Sequence, residues 1–121
     1  MKYVKLGRTG LDVSRICLGC MSYGDASRGG HQWVLNEEES RPFIKTALEQ
    51  GINFFDSSPY YGLTLSEERL GQALAGWRDK VVLATKCGRY GLDAFDFSAV
   101  RVMASVDESL RRLRTDYTDL F

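Results

Sequence analysis

The chain has 121 residues, with 16 Lys plus Arg balancing 16 Asp plus Glu and 44% hydrophobic residues. That suffices for one modest core and falls short of most α/β barrels, while zero net charge with interspersed signs offers nothing to a nucleic acid or an anionic membrane. No apolar run approaches ~20 residues, the Met1-Lys2-Tyr3-Val4-Lys5 start lacks a signal-like apolar region, and three cysteines form an odd set, so a cytoplasmic protein with reduced thiols is expected.

Tyr3-Val4-Lys5-Leu6 alternates, Gly7-Arg8-Thr9-Gly10 is turn-like, and Leu11-Asp12-Val13-Ser14 returns, which predicts a β-hairpin. The continuous apolar run Ile16 to Met21 predicts a first parallel strand buried on both faces. Tyr23 to Leu35, with Gly29-Gly30 inside it, reads as a loop. Phe43, Ile44, Ala47 and Leu48 share one helical face, and Gly51 stands just past the helix end as its C′ residue. Asn36 and Glu39 have capping-box spacing, but a helix from Asn36 would enclose Pro42 at a cost of about 3 kcal/mol. A turn is therefore expected over 36–39 and the helix from about Ser40.

Ile52 to Phe55 reads as the second strand. A polar loop from Asp56 to Leu65 follows, then a helix capped by Thr64 with Glu67, or by Ser66, that carries Leu70, Ala73 and Leu74 and ends at Gly76. Lys80 to Lys86 is β-branched and apolar, a third strand that surfaces at its lysine. A Gly-rich loop from Cys87 to Asp96 leads to a helix capped by Ser98, with Val102, Met103, Val106, Leu110 and Leu113 at spacings of three and four. Asp116 to Phe121 has the character of a starting fourth strand. Strands and helices alternate in a single domain spanning 1–121, with crossovers long enough for a parallel sheet. Gly19-Cys20-Met21-Ser22-Tyr23-Gly24 lacks the G-x-G-x-x-G spacing of a dinucleotide fold, whereas a barrel fits the hairpin and the polar strand ends but needs roughly 250 residues.

In a parallel barrel the strand ends share one rim, so Met21 and Ser22, Asp56 and Lys86 should converge there, with Tyr61 on the loop above. An ammonium beside a phenol stabilises the phenolate, so Tyr61 could deliver a proton to a carbonyl oxygen near neutral pH, with Asp56 holding Lys86 charged. That trio suits hydride transfer from a nicotinamide to an aldehyde or ketone. Plainer readings stand beside it. Asp56 could be a turn acid before Pro59, Lys86 a solvated lysine, and Tyr60 competes with Tyr61 as the acid. Cys17 and Cys20 have the look of a redox or zinc pair, but an offset of three in a strand sends the thiols to opposite faces, and no metal is expected. His31, the only histidine, is either an exposed loop residue beside Trp33 or a substrate-facing one.

The chain resembles the aldo-keto reductase superfamily over its whole length. The resemblance rests on Gly7 to Ser14, Leu18 to Gly24, Gly51 to Asp56 with Tyr61, Ser66-Glu67-Glu68 with Leu70-Gly71, Ala84-Thr85-Lys86, and Ser109 to Leu113 with Asp116-Tyr117. It implies an α/β fold: an N-terminal hairpin plus the first three βα units and the start of the fourth strand of a TIM (β/α)8 barrel. It also implies NADP or NAD as cofactor, a small carbonyl or sugar substrate, Asp56, Tyr61 and Lys86 as catalytic residues, and Met21, Ser22 and Asp56 against the nicotinamide. Ser57 to Gly62, Lys86 to Tyr90 and Phe95 to Ser98 are most similar to the superfamily's galactose and other aldose dehydrogenases; the first fifty residues resemble general bacterial oxidoreductases. In that family a fourth catalytic residue, a histidine, lies just beyond the strand starting at Tyr117. The 121 residues end before it, so the chain alone is expected to be inactive; the alternative is a non-catalytic half-barrel, a truncated gene product or a binding or assembly module, whose exposed sheet edge should make it dimerise, need a partner or aggregate.

Overall fold

The computed structural model describes residues 1–28 and 31–121; Gly29-Gly30 of the predicted loop lie outside the described residues. Strands β1 (Tyr3–Lys5) and β2 (Asp12–Ser14) form the expected antiparallel hairpin, with Val4 opposite Val13. Its turn uses Gly7 and Gly10 at φ +55° and +84°, angles that a side chain would strain. Strands β3 (Leu18–Gly19), β4 (Phe54–Asp56) and β5 (Val82–Ala84) form a parallel sheet in the order β3-β4-β5, with Gly19, Asp56 and Ala84 in register. The expected fourth strand is reduced to one parallel bridge between Leu120 and Ala84.

Helices α1 (Glu37–Glu49), α2 (Leu65–Ala73) and α3 (Ala99–Leu113) connect and cover these strands. Phe55 and Leu83, on one face of the sheet, pack with Ile44 and Ala47 of α1, Leu70 and Leu74 around α2, and Leu113 of α3 into one core. Because side chains alternate along a strand, Asp56 and Ala84 point to the other face. Among the described residues no helix is long and apolar enough to cross a membrane.

Several sequence expectations are corrected. Helix α1 begins at Glu37, not Ser40. Asn36 accepts from the Glu39 N–H at 3.0 Å, and the Glu39 carboxylate accepts from the Asn36 N–H at 2.9 Å. That complete capping box, with Glu37, Glu38 and Glu39 at the positive end of the helix dipole, offsets the cost of enclosing Pro42. The far end matches expectation: Gly51 at φ +82° donates to Leu48 and Ile52 donates to Ala47, a Schellman stop.

The Ile16 to Met21 run is not buried on both faces. As the sheet's outer strand, β3 has no strand neighbour on one side among the described residues, and Ile16 is 57% and Met21 47% exposed while Cys20 is buried. Phe43 and Met103, assigned to core-facing stripes, also point outward. On α3 the buried positions include Ser105 and Ser109, small residues on a helix that packs against α2. Gly71 marks that approach: a Cβ on it would stand 2.6 Å from the Arg112 carbonyl oxygen.

Thr64 precedes α2 but does not cap it. It takes a left-handed φ of +78° and donates instead to the Glu68 carboxylate at 2.8 Å. Ser66 and Glu67 are likewise unavailable as caps, since both are turned into the interior.

Candidate functional site

Strand β4 delivers Asp56 at its last residue, and β5 reaches Lys86 two residues past its end, on the same face of the sheet. The Lys86 Nζ donates to Asp56 Oδ1, Asp56 Oδ2 and the Ser57 carbonyl, each at 2.7 Å. Three bonds use all three ammonium protons and fix the head group. Both side chains keep roughly two-fifths of their exposure, 42% for Lys86 and 37% for Asp56, so the pair opens to solvent on one side.

Tyr61 stands beside this pair, with its ring centroid 4.8 Å from the Lys86 Nζ. Lys86 acts on it as a fixed positive charge and not as a hydrogen-bond donor, because its protons are committed elsewhere. The geometry also separates the two tyrosines: the Tyr60 ring lies 4.0 Å below the guanidinium of Arg89 and not over Lys86.

The loop that holds Tyr61 ends in Gly62, Leu63 and Thr64, all three left-handed at φ +57°, +51° and +78°. Left-handed backbone costs an ordinary residue about 1–2 kcal/mol, so this turn needs support from its surroundings. Gly62 lies directly on the Tyr23-Gly24 backbone, where a Cβ would come 2.5 Å from the Tyr23 carbonyl oxygen. Underneath, Ser66 donates to the Cys20 carbonyl at 2.7 Å. With its proton so placed, Ser66 receives that of Ser57 across 3.0 Å. These two buried hydroxyls tie the ends of β3 and β4 to the start of α2.

A second buried network lies behind Lys86. Glu67, fully buried, accepts from the Thr85 hydroxyl at 2.5 Å and from Arg112 Nε at 2.6 Å. Thr85 is thus tied to Glu67 of α2, which Arg112 of α3 holds in turn, next to the lysine. Neither this network nor the Arg89 contact was legible in the sequence; the only signal was an acid and an arginine 45 positions apart, which no local pattern connects.

The end of β3 is brought to the same place by the Cys20 N–H, which donates to the Asp56 carbonyl at 2.8 Å. Met21 is exposed there and Ser22 half-buried, its hydroxyl without a protein partner among the described residues. Cys17 and Cys20 do face opposite ways. The Cys20 thiol is buried, which pushes its pKa far up. Cys17 is exposed: partial desolvation raises its pKa first, the Asp56 carboxylate adds to the rise, and the Lys86 ammonium opposes it. His31 is exposed and stacks on Trp33 at 4.7 Å between centroids. Among the described residues no His, Cys, Asp and Glu cluster is arranged to hold a metal ion.

Comparison with known proteins agrees with this arrangement of elements. The profile of the Aldo/keto reductase family matches residues 15–121. L-galactose dehydrogenase of Arabidopsis thaliana is 46% identical over 95% of this chain and 35% of its own length. The aldo-keto reductase YhdN of Bacillus subtilis is 39% identical over 100% of the chain and 37% of its own. Among solved structures, the holo form of an aldo-keto reductase from Bacillus halodurans superposes with a TM-score of 0.83 at 36% identity, covering 98% of this chain and 38% of that one. The chain therefore spans about a third of the length of these curated relatives. Over that span its sequence and its mixed α/β structure agree with theirs, and the chain belongs to the aldo/keto reductase family.

Proposed function

We propose that residues 1–121 form one incomplete domain, the hairpin, first three βα units and start of the fourth strand of a (β/α)8 barrel, and carry the Asp56–Tyr61–Lys86 part of an NAD(P)-dependent oxidoreductase site. The observation that carries this reading is the Lys86 ammonium, locked by Asp56 and Ser57 and held 4.8 Å from the Tyr61 ring. Tyr61 gives its phenolic proton to the carbonyl oxygen of an aldehyde or ketone. Lys86 stabilises the phenolate left behind, and Asp56 keeps Lys86 charged and aimed. Met21, exposed, and the Ser22 hydroxyl, unpartnered among the described residues, follow directly on Cys20, whose N–H meets the Asp56 carbonyl, and offer an apolar edge and a polar contact that fit a nicotinamide ring and its carboxamide. NADP or NAD bound there supplies the hydride that reaches the carbonyl carbon as the oxygen is protonated. Likeness to an L-galactose dehydrogenase supports an aldose or other small carbonyl compound as substrate.

The test is a chimera in which these 121 residues replace the matching segment of the Bacillus subtilis relative. It should reduce carbonyls with NAD(P)H, and Tyr61→Phe should lower turnover by about 10²-fold or more while leaving cofactor binding intact. Undiminished turnover in Tyr61→Phe would refute the assignment. The 121 residues alone should show no steady turnover. A non-catalytic, self-associating role is favoured by one observation, the open β3 edge with Ile16 exposed, and a stable monomer by light scattering would exclude it.

A further inference from the structure

The two adjacent tyrosines each carry a cation, Lys86 over Tyr61 at 4.8 Å and Arg89 over Tyr60 at 4.0 Å. The cations are three residues apart, but their charges are differently engaged. Lys86 is neutralised by Asp56. Arg89 forms no ion pair among the described residues. Its Nε and one terminal nitrogen make only long bonds, 3.3 Å each, to the carbonyls of Gly91 and Leu92. Asp96, the nearby loop acid that could have answered it, accepts instead from the Ser98 N–H at 2.8 Å, and Asp93 forms no ion pair among the described residues. A guanidinium carries five N–H donors, so most of those on Arg89 remain for a ligand.

Arg89 is also held in place. Its Cζ lies 5.3 Å from the Phe95 ring on the strand-like rung that pairs residues 89 and 95. The same loop is closed by Asp96 N–H to Gly88 and by Gly88 N–H to the Tyr90 hydroxyl, each at 3.0 Å. Arg101 of α3 stacks on Tyr90 at 3.8 Å while gripping Glu108 with two bonds of 3.0 Å. Gly88 is required at the turn: its φ is +91°, and a Cβ would run into the Phe97 ring at 1.9 Å. An exposed, oriented guanidinium without a counter-charge among the described residues, stacked on Tyr60 next to Tyr61 in the chain, is an anion receptor.

We propose that Arg89 determines specificity at this site by binding an anionic group, carboxylate or phosphate, on the far end of a sugar-like carbonyl substrate. Acidic sugars are thus preferred over neutral aldoses. The inference rests on the reading that Tyr61 faces the substrate carbonyl. It is tested by titrating the 15N-labelled chain with D-galacturonate, D-galactose 6-phosphate and D-galactose, observed by NMR. At least one acidic sugar should bind about tenfold more tightly than galactose, the gain of a charge-assisted bond, and shift the amides of Tyr60, Tyr61, Gly88 and Arg89. The tighter of the two identifies the anion. In Arg89→Met the ratio of dissociation constants should fall to about one, and in Arg89→Lys, which keeps the charge without the planar fork, it should recover in part. Equal binding of acidic and neutral sugars, no binding of any, or a preference that survives Arg89→Met overturns the proposal. If only the redox reading is wrong, the Arg89-dependent preference persists while Tyr61→Phe in the chimera keeps its turnover.

Discussion

Replacing Arg112 by Met tests whether the fold around Lys86 depends on the buried Glu67 network. Glu67 has no exposed side-chain surface and Arg112 only 16%, so the Glu67 carboxylate would lose its cation in a place water does not reach. Breaking one side of such a pair costs about 3–5 kcal/mol, because an uncompensated buried charge remains. That is a large share of the ~5–15 kcal/mol that holds a typical domain together. Glu67→Gln should be milder, about 1–2 kcal/mol, because the amide oxygen can still accept from Arg112 Nε and its NH2 can donate to the Thr85 hydroxyl. The double variant should be more stable than Arg112→Met alone, since a neutral amide without a cation is less costly than a carboxylate without one. Urea unfolding followed by circular dichroism measures all four proteins. A loss below about 1 kcal/mol in Arg112→Met, or no recovery in the double variant, would refute the reasoning.

Gly71→Ala should destabilise by at least about 1–3 kcal/mol, because its Cβ meets the Arg112 and Leu113 backbone at 2.6 Å and helix backbone cannot step aside; thermal unfolding reads it. Ser105→Ala should stabilise by about 1–2 kcal/mol, since the buried Ser105 hydroxyl has no partner among the described residues and alanine also favours the helix; an unchanged or lower denaturation midpoint contradicts this. At pH 8 Cys17 should alkylate more slowly than a free cysteine, its raised pKa leaving less thiolate, and Lys86→Met should slow it further by removing the charge that opposes the rise. Cys20, buried and shifted in the same direction, should label only on unfolding, as mass spectrometry of timed quenches would record.

What could be read in advance was what local pattern controls. The hairpin followed from glycines at 7 and 10, the α3 start from Ser98, whose hydroxyl accepts from the Arg101 N–H at 3.3 Å, and the Asp56–Lys86 encounter from strand-end positions combined with a family resemblance. What could not be read was decided by partners distant in the chain. Ser66 and Glu67 carry cap-like spacing but are drawn inward by Cys20, Thr85 and Arg112, so α2 starts on a left-handed Thr64 instead. Pro42 argued against an early α1 start, and a reciprocal cap outweighed it. A continuous apolar run points Ile16 inward, and helical periodicity points Phe43 and Met103 inward, but neither signal can tell whether a neighbour is there to cover the face. The stacking of Arg89 on Tyr60, 29 positions earlier in the chain, left no local trace.

Asn53 enters β4 opposite the hairpin: its side-chain oxygen accepts from the Ser14 N–H at 2.7 Å and its amide nitrogen donates to the Asp12 carbonyl at 3.0 Å. Tyr3 reaches the same end, donating to the Gly51 carbonyl at 2.8 Å. Asp56 leaves the strand at its other end, three residues and so roughly 10 Å away. A tag, fluorophore or surface linkage joined at Met1 would therefore hang from the underside of the sheet, leaving the tyrosine–lysine mouth clear for a biosensor or an immobilised binding assay.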